Sequence, residues 1–114
     1  MQLRYIAVAA FLLTCSTAQA ETGKASWYGH ESGTHTASGQ RYNPHGKTVA
    51  HRSLPFGTVL RITDRHSGKA VTCQVTDRGP AKRTGRILDL SRGCASELGM
   101  IARGVSVVDY EVIN

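Results

Sequence analysis

The sequence predicts a small, mainly β domain closed into a barrel. Three observations carry that reading. Short apolar runs alternate with period two, as at Thr58–Thr63, where Leu60 and Ile62 share a face, and at Ala70–Val75, where Val71, Cys73 and Val75 do. Glycine turns punctuate the chain, 12 Gly in 114 residues, which suits many short strands. Only one stretch carries helix-start and helix-stop signals.

Taken in order, the chain opens on an export signal. Arg4 is its basic start, Tyr5 to Leu13 its apolar stretch, and Ala18-Gln19-Ala20 a small-x-small cleavage site. The apolar stretch is too short to span a bilayer. Residues 1–20 are therefore expected to be a signal peptide and residues 21–114 the domain, periplasmic or secreted. The alternative is lipid attachment at Cys15, which Leu12-Leu13-Thr14-Cys15 fits only loosely because Thr14 is bulky.

Ala25–Tyr28 reads as the first strand, stopped by Gly29. Residues 29 to 47 are rich in Gly, Ser, Thr, His and Asn and read as a loop, long enough to suggest a functional role. Thr48–His51, Thr58–Thr63, Ala70–Val75, Arg86–Leu90 and Val105–Ile113 read as the remaining strands. Leu54-Pro55-Phe56-Gly57, Asp64–Gly68 and Asp77-Arg78-Gly79-Pro80 read as turns. Ser91 caps a short helix running to Leu98, which Gly99 ends.

A body of this size buries a limited core. Once Cys15 leaves with the signal, Cys73 and Cys94 remain, both at inward-facing positions in an oxidising compartment. They are expected to form a disulfide; two buried thiols acting as small hydrophobes are the alternative. The formal net charge of +6 suits adsorption to an anionic polymer such as a cell wall or membrane surface. No nucleic-acid motif is present, aromatics are few, and the compartment is wrong for nucleic acid. His30, His35, His45 and His51 match no zinc spacing, so neither a metal nor another cofactor is expected. The domain is expected to be a monomer, with no transmembrane segment.

Five motifs in order, Ala25-Ser26-Trp27-Tyr28-Gly29, Thr36-Ala37-Ser38-Gly39, Ala50-His51-Arg52-Ser53-Leu54-Pro55-Phe56-Gly57-Thr58, Asp77-Arg78-Gly79-Pro80 and Gly85-Arg86-Ile87-Leu88-Asp89-Leu90-Ser91, resemble the RlpA-like (rare lipoprotein A) domain. The resemblance implies a six-stranded double-psi β-barrel with one or two short helices, the fold also of expansins. It further implies endolytic lytic transglycosylation of peptidoglycan glycan strands lacking stem peptides. Two departures stand out. Gln40 occupies the position where the family carries Glu, and Glu31-Ser32-Gly33-Thr34-His35 replaces a longer aromatic-His-Gly-Arg stretch.

Lytic transglycosylation needs one group that protonates the glycosidic oxygen and then takes a proton from the sugar 6-hydroxyl, closing a 1,6-anhydro ring. No water enters, so a second, water-holding carboxylate is not obligatory. Asp77 is the candidate, with the alternative that it only hydrogen-bonds its own turn. To donate near neutral pH it needs a partly desolvated place. By parity the face of Val71, Cys73 and Val75 would supply one. His51 is the second catalytic candidate, bonding Asp77 or orienting the sugar. Gln40 can hydrogen-bond a hydroxyl or N-acetyl group but cannot transfer a proton. Trp27 and Tyr28 occupy alternate faces of one strand, so only one can meet the sugar; Tyr28, Arg78 and Arg52 join Gln40 as substrate-binding candidates. Asp89 reads first as an aid to the helix cap. A non-catalytic, expansin-like wall-binding module is the competing function.

Overall fold

The computed structural model describes residues 20–29 and 35–114. The leader, with Cys15, lies outside them, as do His30 and Glu31–Thr34. Alternating patterns become six strands: β1 (Glu21–Tyr28), β2 (Thr48–Ala50), β3 (Val59–Asp64), β4 (Ala70–Asp77), β5 (Arg86–Ser91) and β6 (Val105–Val112). They close in the order β1-β5-β2-β4-β3-β6, the double-psi barrel. β1 and β5 run parallel, as do β2 and β4; the other pairs are antiparallel. Closure leaves no sheet edge to cover, which a core this small requires.

Leu60, Ile62, Val49, Val75, Leu88, Leu90 and Val108 fill the barrel interior. One helix, α1 (Arg92–Leu98), buries Cys94, Ala95 and Leu98 against it. Ser91 Oγ accepts from Cys94 N at 3.1 Å, a cap worth about 1 kcal/mol, and Gly99 ends the helix at φ 71°. The Sγ atoms of Cys73 and Cys94 lie 2.05 Å apart, joining β4 to α1.

Two strands run further than their periodicity indicates. β1 begins at Glu21, because its polar first half pairs with β6. β4 runs on to Asp77, which is thus a strand residue before the turn. A 3₁₀ turn, Lys82–Thr84, joins β4 to β5. From His35 on, the long polar loop is tied to itself and to the barrel. His35 and Arg41 bridge, and Thr36 N donates to Gln40 O at 2.9 Å. The loop's far end is pinned beside α1: Gly93 N donates to Pro44 O at 2.7 Å and Ser91 Oγ to Gly46 O at 2.7 Å. A Cβ on Gly93 would stand 2.6 Å from Gly46 O, so only glycine permits this approach.

Candidate functional site

The site is made by one irregularity in the sheet. Val49 pairs with Val75, but the next residue, Ala50, pairs with Asp77, so Thr76 is an extra residue on β4. Such a bulge reverses the alternation beyond it. Val75 therefore points into the core, while Asp77 shares the outer face with Ala50. Ala50, Tyr28 and Tyr42 form a small apolar cluster separate from the barrel interior. Parity alone put Asp77 on the face of Val71, Cys73 and Val75; the bulge overturns that expectation.

The bulge also docks the polar loop. Thr76 O accepts from Ser38 N at 3.1 Å, and Asp77 Oδ1 accepts from Ala37 N at 2.8 Å. Oδ1 accepts a second amide, Arg78 N, at 2.9 Å. Oδ2 has a looser partner, the Tyr28 hydroxyl at 3.3 Å. Asp77 is half-buried, and no Lys, Arg or His forms an ion pair with it among the described residues.

Tyr28 is the member of its pair that faces the site. Its ring stacks on Tyr42, with centroids 4.9 Å apart, and Tyr42 Oη donates to Tyr28 O at 2.7 Å. Burial first, then the charge of Asp77, pushes the Tyr28 phenol far above its ordinary range, so it remains a proton-bearing donor. Trp27 packs against the barrel core and donates to Ile101 O at 3.3 Å.

Asp89 flanks Ala50 from the opposite side, on β5. It accepts from Ser26 Oγ at 2.7 Å and lies 3.9 Å from Arg86 Nη1. Helix capping belongs to Ser91 instead, since the Asp89 carboxylate faces β1. Asp89 thus stands beside Ala50, a neighbour of Asp77, rather than at the helix cap. Its place opposite Ser26 in the β1–β5 register is the mark of this, and only pairing reveals it.

His51 and Asp77 are adjacent in backbone only: His51 N donates to Asp77 O at 3.2 Å. The imidazole instead reaches Tyr110, Nε2 to Oη 2.8 Å, while Nδ1 accepts from Ser53 N and Leu54 N, each at 3.0 Å. The expected side-chain bond to Asp77 is thus replaced, because His51 follows the inward phase of Val49 and Asp77 the outward phase of Ala50.

Two arginines are committed to backbone. Arg52 donates from Nε to Pro80 O at 2.9 Å and from Nη2 to Arg86 O. Arg78 donates to Leu54 O at 2.9 Å and lies 4.0 Å over the Phe56 ring. Gln40 is exposed at the loop rim, its carbonyl holding Thr36. Among the described residues, no group of His, Cys, Asp and Glu is arranged to hold a metal. A depression of about 490 Å³ is lined by Arg41, Tyr42, Asn43, Pro44 and His45.

Residues 20–110 match the family model described as lytic transglycolase. The chain is 50% identical over 95 residues to the probable endolytic peptidoglycan transglycosylase RlpA of Nostoc sp., covering 81% of this chain and 25% of that protein. It is 45% identical over 93 residues to the endolytic peptidoglycan transglycosylase RlpA of Campylobacter jejuni, covering 81% and 34%. The chain thus spans about a quarter to a third of these relatives' length. Among solved structures, Streptomyces papain inhibitor superposes with TM-score 0.66 at 20% identity, covering 84% of this chain and 96% of that one. A mutant expansin of Clavibacter michiganensis in complex with cellohexaose superposes with TM-score 0.66 at 24% identity, covering 84% and 51%. At these identities the structural likeness is one of fold.

Proposed function

The chain belongs to the lytic transglycolase family of double-psi barrels, and on that premise we propose that it cleaves peptidoglycan glycan strands by lytic transglycosylation, with Asp77 as acid and then base. The observation that supports this most is the asymmetric holding of the Asp77 carboxylate. Two amides fix Oδ1, while among the described residues Oδ2 meets only the Tyr28 phenol, at 3.3 Å. Oδ2 is therefore the oxygen able to carry a proton to the glycosidic oxygen. As that bond breaks, positive charge develops on the sugar ring. The ionised Asp77, and Asp89 on the far side of Ala50, offset it. Asp77 Oδ2 then takes the proton of the 6-hydroxyl as that oxygen closes on the anomeric carbon. Tyr28 steers Oδ2 throughout, and Gln40 is placed at the rim to bond a hydroxyl or N-acetyl group. The substrate is glycan free of stem peptides and the product ends in a 1,6-anhydro sugar. The site works outside the cytoplasm, after export.

A second reading is a wall-binding module without catalysis, favoured by Gln40 in the place of an acid. Incubation with denuded glycan followed by mass spectrometry separates the two. Anhydro ends that vanish with Asp77→Asn support cleavage; binding to sacculi with no new ends supports the module. Reducing ends in their place would assign hydrolysis.

A further inference from the structure

We infer that Tyr110 is a positioning residue for this site, acting through the His51 ring to fix the turn that carries the backbone around Asp77. The inference deepens the proposed glycan cleavage and rests on it for its activity measurement alone.

Both ring nitrogens of His51 are occupied. Nδ1 accepts two amide hydrogens, from Ser53 and Leu54. A nitrogen so occupied has no place for a proton, so the ring hydrogen stands on Nε2. Nε2 lies 2.8 Å from Tyr110 Oη, and the imidazole therefore donates to the phenol. The rings stand edge-on, with centroids 5.6 Å apart at 83°. Tyr110 comes from β6 on the far side of the barrel closure and is itself buried.

The turn that His51 organises grips the site from behind. Its carbonyls at Leu54 and His51 accept from Arg78 Nη1, at 2.9 and 3.4 Å. Arg78 N in turn donates to Asp77 Oδ1, and His51 N to Asp77 O. Hydrogen bonds, linked through the Leu54 peptide and the Arg78 side chain, thus connect the Tyr110 phenol to the Asp77 carboxylate.

The charged and titratable groups around the ring are Arg52 and Arg78 from the turn and the residue after β4, Glu21 from β1 and Tyr110 from β6. Burial first, then Arg52 and Arg78, hold His51 below its ordinary range, with Glu21 opposing. A neutral ring with both nitrogens committed has no proton to exchange with sugar unless the turn comes apart.

The test uses the full chain with ¹⁵N-labelled histidine and follows His51 by NMR beside glycan turnover from pH 8 to about 5.5. The expected wild-type result is the Nε2–H tautomer, with no His51 protonation in the range where turnover is maximal. Tyr110→Phe should remove the acceptor of the Nε2 hydrogen, admit the Nδ1–H tautomer and lower turnover about ten- to a hundredfold with little change in KM. His51→Gln, whose amide can accept at one end and donate at the other, should retain more turnover than His51→Ala. A wild-type ring protonated at Nδ1, or turnover that follows His51 titration in the wild type, would overturn the inference. So would Tyr110→Phe with tautomer and turnover unchanged. If Tyr110→Phe does not fold, the wild-type tautomer and the Gln-against-Ala pair decide it. Absence of cleavage by the wild type would remove the glycan reading, while the NMR result would still judge the Tyr110–His51 coupling.

Discussion

Thr-Asp-Arg occurs at the ends of two neighbouring strands, Thr63-Asp64-Arg65 on β3 and Thr76-Asp77-Arg78 on β4, and the fold uses the two carboxylates in opposite ways. Asp64 is 0% exposed. Its Oδ1 accepts from His66 N at 2.7 Å, Ser106 Oγ at 2.9 Å and Ser67 N at 3.4 Å, and its Oδ2 from Arg103 Nη2 at 2.5 Å. Burial pushes its carboxyl up, but the His66 amide, Ser106, the Ser67 amide and Arg103 together outweigh burial and bring it below the ordinary range. Asp77 keeps one oxygen lightly held, and the arginine that follows it turns away to Leu54 O and the Phe56 ring. A carboxylate whose lone pairs are filled by fixed donors is a strut. One with a lightly held oxygen keeps a lone pair for a substrate hydrogen.

Exchanging the two groups for amides should separate these roles most sharply. Asp77→Asn is expected to lower formation of anhydro ends at least about a hundredfold, with the thermal transition nearly unmoved; a collapsed transition would make Asp77 structural after all. Asp64→Asn should do the reverse. It leaves Arg103 without its carboxylate, costing about 2–3 kcal/mol after allowing for the partial exposure of Arg103. Calorimetry should register that as about 10–20 °C in a domain of this size, with turnover per folded molecule retained.

Tyr28→Phe removes the donor to Oδ2 but keeps the stack on Tyr42, so turnover should fall about three- to tenfold with stability preserved. Equal loss from Tyr28→Phe and Asp77→Asn would mean that the phenol takes part in proton transfer itself. A pH series sharpens the Asp64 side. Its carboxyl is lowered in the folded state, so its stabilisation is complete above the unfolded value near 3.8 and disappears as pH falls through the folded one. Urea midpoints should drop on acidification below about pH 4 in the wild type, and this increment should be missing in Asp64→Asn. The smallest effect is expected at the rim, where Gln40→Glu should raise turnover a few-fold at most, about 1 kcal/mol of barrier.

Much of this fold is legible in the chain because local pattern and final environment agree. Leu60 and Ile62, or Val71 and Cys73, alternate in the sequence and alternate in the barrel. Ser91 and Gly99 announce the helix ends and occupy them. Asp77, Tyr28 and Gln40 could be singled out by motif, and the fold does bring Tyr28 to Asp77. What could not be read depends on pairing across the barrel. The extra residue at Thr76 leaves no mark on hydropathy, yet it reverses the direction of Asp77. His51 and Tyr110 are 59 residues apart, and neither turn chemistry nor periodicity connects them. Arg52 and Arg78 look like a substrate rim because sequence records their charge, not the carbonyls that absorb it.

The insertion at Thr76 also marks where this scaffold can be rewired. Excising that single amino acid would leave the carboxyl opposite Ala50 and facing the same way, but would remove the carbonyl that takes up Ser38 N and with it one anchor of the polar loop. Straightening the strand with all its residues kept would instead set Thr76 opposite Ala50 and swing the carboxyl toward Val75, among hydrocarbon. In a barrel this small, the facing of a reactive group is set by the register of one stave as much as by its identity.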